Sequence, residues 1–292
     1  VQTHRVFVLV KTLARILLLI RSKDVPYITA SRMLKELYTA ALGMLPQQMR
    51  LEMTANNLAN ANTVGFKRSG IFEQSLIEAR ENLLNIKGDA ESEDLPLQQY
   101  IDFRPGTLQK TGNPLDIALD GANTFFVVLD RDGNELLTRA GHFTLSEQGT
   151  VITSDGKVLL SSNGPVHIEL RQQGDFVTND HVARQIQISP QGELQLNGQF
   201  VAQLRVVEVT NPQSLERANS TCFHPTDDTF IRDIEPTEIR VQQGYLEASN
   251  VNVVSELVSM IQLQRMFELG QKVIQTNDGT LERSIDIGRF TS

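Results

Sequence analysis

Apolar residues recur at alternating spacings of three and four at both ends of this chain, and a different rhythm separates them. Over residues 34–60 the series Leu37, Ala41, Met44, Gln48, Leu51, Ala55 and Leu58 forms the seam of a packed helix about 40 Å long at 1.5 Å per residue. Pro46 predicts a kink or an opened turn within it. Asn56, Asn57, Asn60 and Asn62 cluster at its end, where short amides bond to nearby backbone, and Gly65 follows as a chain-reversal position. At the other end Val253, Leu257, Met260, Gln264, Phe267, Gln271, Ile274, Leu281 and Ile285 repeat the rhythm. A second stripe of Val254, Val258 and Ile261 lies beside it. Ser249, Asn250 and Asn252 offer capping oxygens, and Glu256 suits the positive end of a helix dipole. A single pair of helices needs one seam; two stripes predict a multi-helix assembly.

Between the ends, short β-branched or aromatic runs alternate with X-Gly turns. Residues 125–129 precede Asp132-Gly133-Asn134, 143–145 precede Gln148-Gly149, and 151–153 precede Asp155-Gly156. Residues 158–160 precede Asn163-Gly164, 186–188 precede Gln191-Gly192, and 194–196 precede Asn197-Gly198. Turns every ten or so residues predict antiparallel hairpins. The longest strand is expected over 199–210, alternating around Val201, Leu204, Val206 and Val209. The stretch 67–100 is polar and charge-rich, a connector with room for one short helix. The expected fold is therefore α+β, with long N- and C-terminal helices packed together and a mainly antiparallel β domain inserted between them. The expected divisions are an atypical leader at 1–32, an N-terminal helix at 33–66, a connector at 67–110, a β-rich domain at 111–243 and a C-terminal helix at 244–288.

Composition narrows the function. With 292 residues, 40% hydrophobic and 21% charged, the chain has material for one or two domains with a core. A net charge of −8 argues against a general nucleic-acid binder, which replaces phosphate counterions with Lys and Arg. Cys222 is the only cysteine, so no intrachain disulfide forms. In the leader, Lys11, Arg15 and Arg21 interrupt or flank the apolar runs, which excludes a membrane span of roughly 20 nearly uncharged residues. Three readings of it stay open: translation starting at Met33, an amphipathic helix, or an unusual targeting segment.

Candidate chemistry is sparse. Asp130-Arg131-Asp132-Gly133-Asn134 lacks the full oxygen set and distal Glu of a calcium loop and reads as a hairpin turn. Cys222 and His224 are spaced like half a zinc site, but His4, His142, His167 and His181 are scattered singly. No nucleophile elbow, zinc-protease helix or phosphate-binding loop occurs. The abundant carboxylates have no marked context for glycoside hydrolysis and read as solvated surface. No catalytic residue, metal or cofactor is expected.

Three segments carry a resemblance. Residues 55–67, Ala-Asn-Asn-Leu-Ala-Asn-Ala-Asn-Thr-Val-Gly-Phe-Lys, resemble the N-terminal signature of flagellar rod and hook proteins. Residues 244–253, Gly-Tyr-Leu-Glu-Ala-Ser-Asn-Val-Asn-Val, with Glu256-Leu257, Met260-Ile261 and Gln264-Arg265, resemble their C-terminal signature. Residues 112–121, then Phe125-Phe126-Val127 and 138–143 (Thr-Arg-Ala-Gly-His-Phe), look like the start of the family's β domain. The matches run in order from Met33 to Ile285. The compact β region suits the FlgF/FlgG rod type better than a hook protein, and the 267–274 continuation looks more like the FlgF type.

The resemblance implies a structural subunit of the flagellar basal-body rod, without enzymatic activity. Such subunits polymerise with copies of themselves and with other rod and hook subunits into a hollow torque-transmitting tube that crosses the periplasm. They are exported by the flagellar type III apparatus without a cleaved signal peptide, and need no nucleic acid or small-molecule substrate. The expected subunit-interface residues are Leu37, Ala41, Leu51, Asn56, Asn57, Leu58, Asn60, Asn250, Asn252, Val253, Leu257, Ile261 and Gln264. The competing readings are a monomeric β-sandwich or barrel that binds a ligand, a hook protein of the same family, and a hydrolase acting on cell-wall glycan.

Overall fold

Phe125, Phe126, Val127 and Val128 form an unbroken apolar run because their strand, Thr124–Leu129, is covered on both faces; none is more than 1% exposed. Phe126 and Val128 point into one core cluster with Phe143, Leu159, Ile168 and Val206. Phe125 and Val127 point the other way, toward Phe103, Leu137, Val209 and Phe223. In the second cluster the rings of Phe103, Phe125 and Phe223 meet edge to face, with centroids 5.1–6.1 Å apart.

The computed structural model describes residues 44, 46–71, 99–168, 185–226 and 229–290, the side chains at 277, 278 and 280–290 excepted. The chain divides into two compact units. One comprises 1–51, 73–97 and 261–292, the other 52–72 and 98–260. The leader, Leu37, Ala41 and most of the expected connector lie outside the described residues.

The second unit is built on a ten-stranded antiparallel sheet. Strand Thr124–Leu129 sits at its centre between Glu135–Thr138 on one side and both Val206–Val209 and Val158–Ser161 on the other. X-Gly pairs fall at its turns and at the hairpin of a separate three-stranded sheet: Gly133, Gly149 and Gly156 in the first and Gly192 in the second each have φ near +80°, and each amide closes a turn onto the carbonyl three residues back. The expected single strand over 199–210 is instead two strands, Gln199–Gln203 and Val206–Val209. They separate where Leu204 N–H donates to Gly192 and Arg205 N–H donates to Leu160, so the chain changes pairing partner there. Alternation alone does not reveal such a handover.

The helical ends correct the expected fold class. Among the described residues there are two α-helices, and they are not a matched long pair packed together. Among the described residues the N-terminal helix, α1, covers 46–59, and Met44 is also helical. The C-terminal helix, α2, runs Val253–Phe290, 38 residues. The second apolar stripe of α2 is left open: Val254 is 71% exposed, Val258 49% and Ile261 48%. Seam periodicity records that a helix face seeks burial, but it is silent on whether the partner belongs to the same chain.

Candidate functional site

The end of α1 follows from its asparagines. The Asn60 amide makes the last α-type bond, to Asn56, and Ala61 and Thr63 close tighter turns onto Leu58 and Asn60. The Asn57 side chain, 1% exposed, donates to the Ser69 carbonyl (2.9 Å) and accepts from the Ser69 amide (3.0 Å), so it clips the outgoing chain back against the helix. Strand Ser69–Ile71 then pairs with Gln99–Ile101.

Between Asn57 and Ser69 the chain enters a buried junction. Lys67 lies 2.5 Å from Glu247 Oε1, and the Arg139 guanidinium grips Glu247 Oε2 through Nε and Nη2 at 2.8 and 2.6 Å. All three side chains are 1% exposed. Backbone carbonyls take up further donors of the two cations. Lys67 Nζ also donates to the Arg104 carbonyl, and Arg139 donates to the carbonyls of Gly121, Thr124 and Leu119. Glu247 in turn accepts the Gly106 amide at Oε1 and, on its main-chain carbonyl, the Gly65 amide. Burial opposes ionisation of Glu247, but the two cations outweigh it and hold the carboxyl below the usual glutamate range.

Around this centre the contacts continue outward. Asn250 accepts from the Arg68 amide and donates to the carbonyls of Asp102 and Arg104. Asn252 caps α2 by accepting the Ser255 amide. Arg68 pairs with Glu256 in the first turn of α2. Arg217 donates to the Lys67 carbonyl and stacks over Phe66 and Phe223, 4.7 and 5.3 Å from the ring centroids. Close approach is made possible by glycine. A Cβ on Gly65 (φ +70°) would stand 2.4 Å from the Ala140 nitrogen, and one on Gly106 1.8 Å from the Ala248 oxygen.

The expected interface residues fall into two groups. Asn57, Asn60, Asn250 and Asn252 bond within the chain, at the junction or at the helix ends beside it. Val253, Leu257 and Ile261 are 41–48% exposed, Asn56 and Gln264 are exposed, and Leu51 and Leu58 are half-buried. Lys67, Arg139 and Glu247 were not singled out from sequence, although each lies inside one of the three resembling segments. The available signal was a charge set among small or apolar neighbours: Lys67 after Val64-Gly65-Phe66, Arg139 before Ala140-Gly141, and Glu247 between Leu246 and Ala248. Cys222 is buried in the sheet opposite Thr138, and His224 lies two residues along the same strand. A cavity of about 240 Å³ lined by Arg205, Asp233 and Ile239 among others falls below the usual size of a small-molecule site.

This geometry is that of a structural coupling, in which a β body grips the inner ends of two helices through one charge cluster. Three sequence families match the chain in order: "Flagella basal body rod protein" over residues 37–67, "Flagellar hook protein FlgE/F/G D1 domain" over 118–196, and "Flagellar basal body rod FlgEFG protein C-terminal" over 242–287. The chain is 32% identical over 270 residues to the flagellar basal-body rod protein FlgG of Caulobacter vibrioides, covering 85% of this chain and 97% of the relative. It is 28% identical to the rod protein FlgF of Rhizobium meliloti (86% and 96% covered) and 29% identical to FlgG of Bacillus subtilis (88% and 100%). The chain belongs to the family of flagellar basal-body rod proteins. Both types are among the relatives, so the comparisons do not separate FlgF from FlgG.

Proposed function

We propose that the chain is a structural, non-catalytic subunit of the flagellar basal-body rod, polymerising through its helical ends into a hollow tube that transmits torque. The observation that carries this reading is the exposed apolar stripe of Val253, Val254, Leu257 and Val258 at the start of a helix whose base is fixed in the buried junction. A soluble chain keeps such a stripe in water only at a cost of about 25 cal/mol per Å², which assembly recovers. Its partners are copies of itself and other rod and hook subunits, and it reaches the periplasm-spanning rod through the flagellar type III export apparatus. The thirteen positions expected from sequence divide accordingly. The apolar ones and Gln264 form contacts between subunits, and the asparagines fix helix ends and register.

The test is the double substitution Val254→Asp, Val258→Asp in the native host. Both side chains are exposed, so the purified subunit should keep its fold while cells lose rods and motility. Normal rods and swimming would overturn the proposal.

A further inference from the structure

We infer that the Lys67–Glu247–Arg139 triad makes docking of the N-terminal motif conditional on arrival of the C-terminal segment, so that the junction closes as the chain's last folding step. Two buried cations share one carboxylate, and that carboxylate lies 180 residues beyond Lys67 and 108 beyond Arg139. Without Glu247, seating Lys67 beside Arg139 brings two like charges out of water with no counter-ion, which is strongly unfavourable. Other unmet donors reinforce the gate. The amides of Gly65 and Gly106 have their acceptors on Glu247, and the Arg68 amide has its acceptor on Asn250. An apolar junction would behave differently, because the N-terminal motif could collapse onto the β body before residues 244–250 are in place. The inference concerns folding order and does not depend on what the folded chain assembles into.

Pulsed hydrogen exchange during refolding of the full chain tests it. Two reporter amides bond to partners outside the C-terminal segment: Ser69 to Asn57 Oδ1, and Asp102 to the Arg68 carbonyl. Ala248, bonded to Thr107, reports arrival of the segment itself. In the wild type, Ser69 and Asp102 should gain protection in the same phase as Ala248; protection in an earlier phase would overturn the inference. In the charge-free variant Lys67→Met, Arg139→Met, Glu247→Leu they should become protected before Ala248, and an unchanged order would overturn it. Glu247→Gln supplies a check that does not need the triple variant to fold. During refolding of this variant Val127 should gain protection at the wild-type rate, while the final protection at Ser69 and Asp102 falls on the order of a hundredfold or more. Slower protection of Val127 would mean that Glu247 engages before the β body forms, and would overturn the inference.

Discussion

Lys67 and Glu247 stand 180 positions apart in sequence yet meet at 2.5 Å, each with a side chain 1% exposed. Buried ion pairs contribute little net stability over apolar packing, but removing one partner is costly. Glu247 has two partners, so its loss strands two cations. Glu247→Gln is expected to destabilise the chain by about 3–5 kcal/mol in urea unfolding. The same relationship sets a pH dependence. Because the folded carboxyl titrates below its usual 4.5, its contribution is complete above that value and is lost as the pH falls through the lower folded value. Acid unfolding of the wild type should therefore be steeper than that of the variant Lys67→Met, Arg139→Met, Glu247→Leu. Identical acid profiles would rule out the assignment.

Glycine positions give a second, independent test of the junction. Gly65 and Gly106 face backbone atoms that cannot move aside, whereas Gly112 has φ +77° but nothing within 4 Å of where a methyl group would stand. Gly112→Ala should therefore cost only the left-handed backbone penalty, about 1–2 kcal/mol. Gly65→Ala and Gly106→Ala should leave little soluble folded protein. Soluble expression and thermal unfolding of the three variants side by side would decide this, and equal effects would refute the close approach.

Legibility from sequence divided along physical lines. Local rules were visible: Asn56 to Asn62 marked the end of α1, Asn252 the cap of α2, and the X-Gly pairs the turns, because each acts within a few residues. The β body was legible because alternation and turn chemistry repeat at short range. The length and pairing of the helices were not, since Val254 and Val258 look the same whether their cover comes from this chain or another. The triad was hidden for the opposite reason. Lys67, Arg139 and Glu247 are ordinary charges in isolation, and only the topology that joins residues 65–69, 102–106, 139 and 247 makes them a site.

Arg68 and Glu256 provide the link from the junction to α2. Glu256 is 3% exposed; Oε1 takes the Arg68 Nε–H, and Oε2 is buried with no partner among the described residues. Arg68→Ala leaves that carboxylate wholly unpaired, a penalty of about 1–3 kcal/mol. Pairing with Glu256→Ala in a double-mutant cycle should show a coupling of about 1 kcal/mol or more, because the double variant removes the stranded charge as well. The loss in Arg68→Ala should appear as faster amide exchange over 253–260. Additive single effects would show that the pair does not hold the helix.

The last expectation contrasts the isolated subunit with the assembled one. Strand Thr124–Leu129 is buried on both faces, so its amides should exchange only through global unfolding. In α2, Met266, Leu269 and Val273 are 53–63% exposed, so little burial opposes local opening there. In the isolated subunit, amides over 265–276 should exchange orders of magnitude faster than those of Phe126 or Val127, while Asn252 and the junction keep the first turn of α2 protected. On assembly the 265–276 amides should become as slow as the sheet. Strong protection over 265–276 in a demonstrated monomer would mean that the stripe is already satisfied within one chain, and a polymer contact through that face would lose its physical basis.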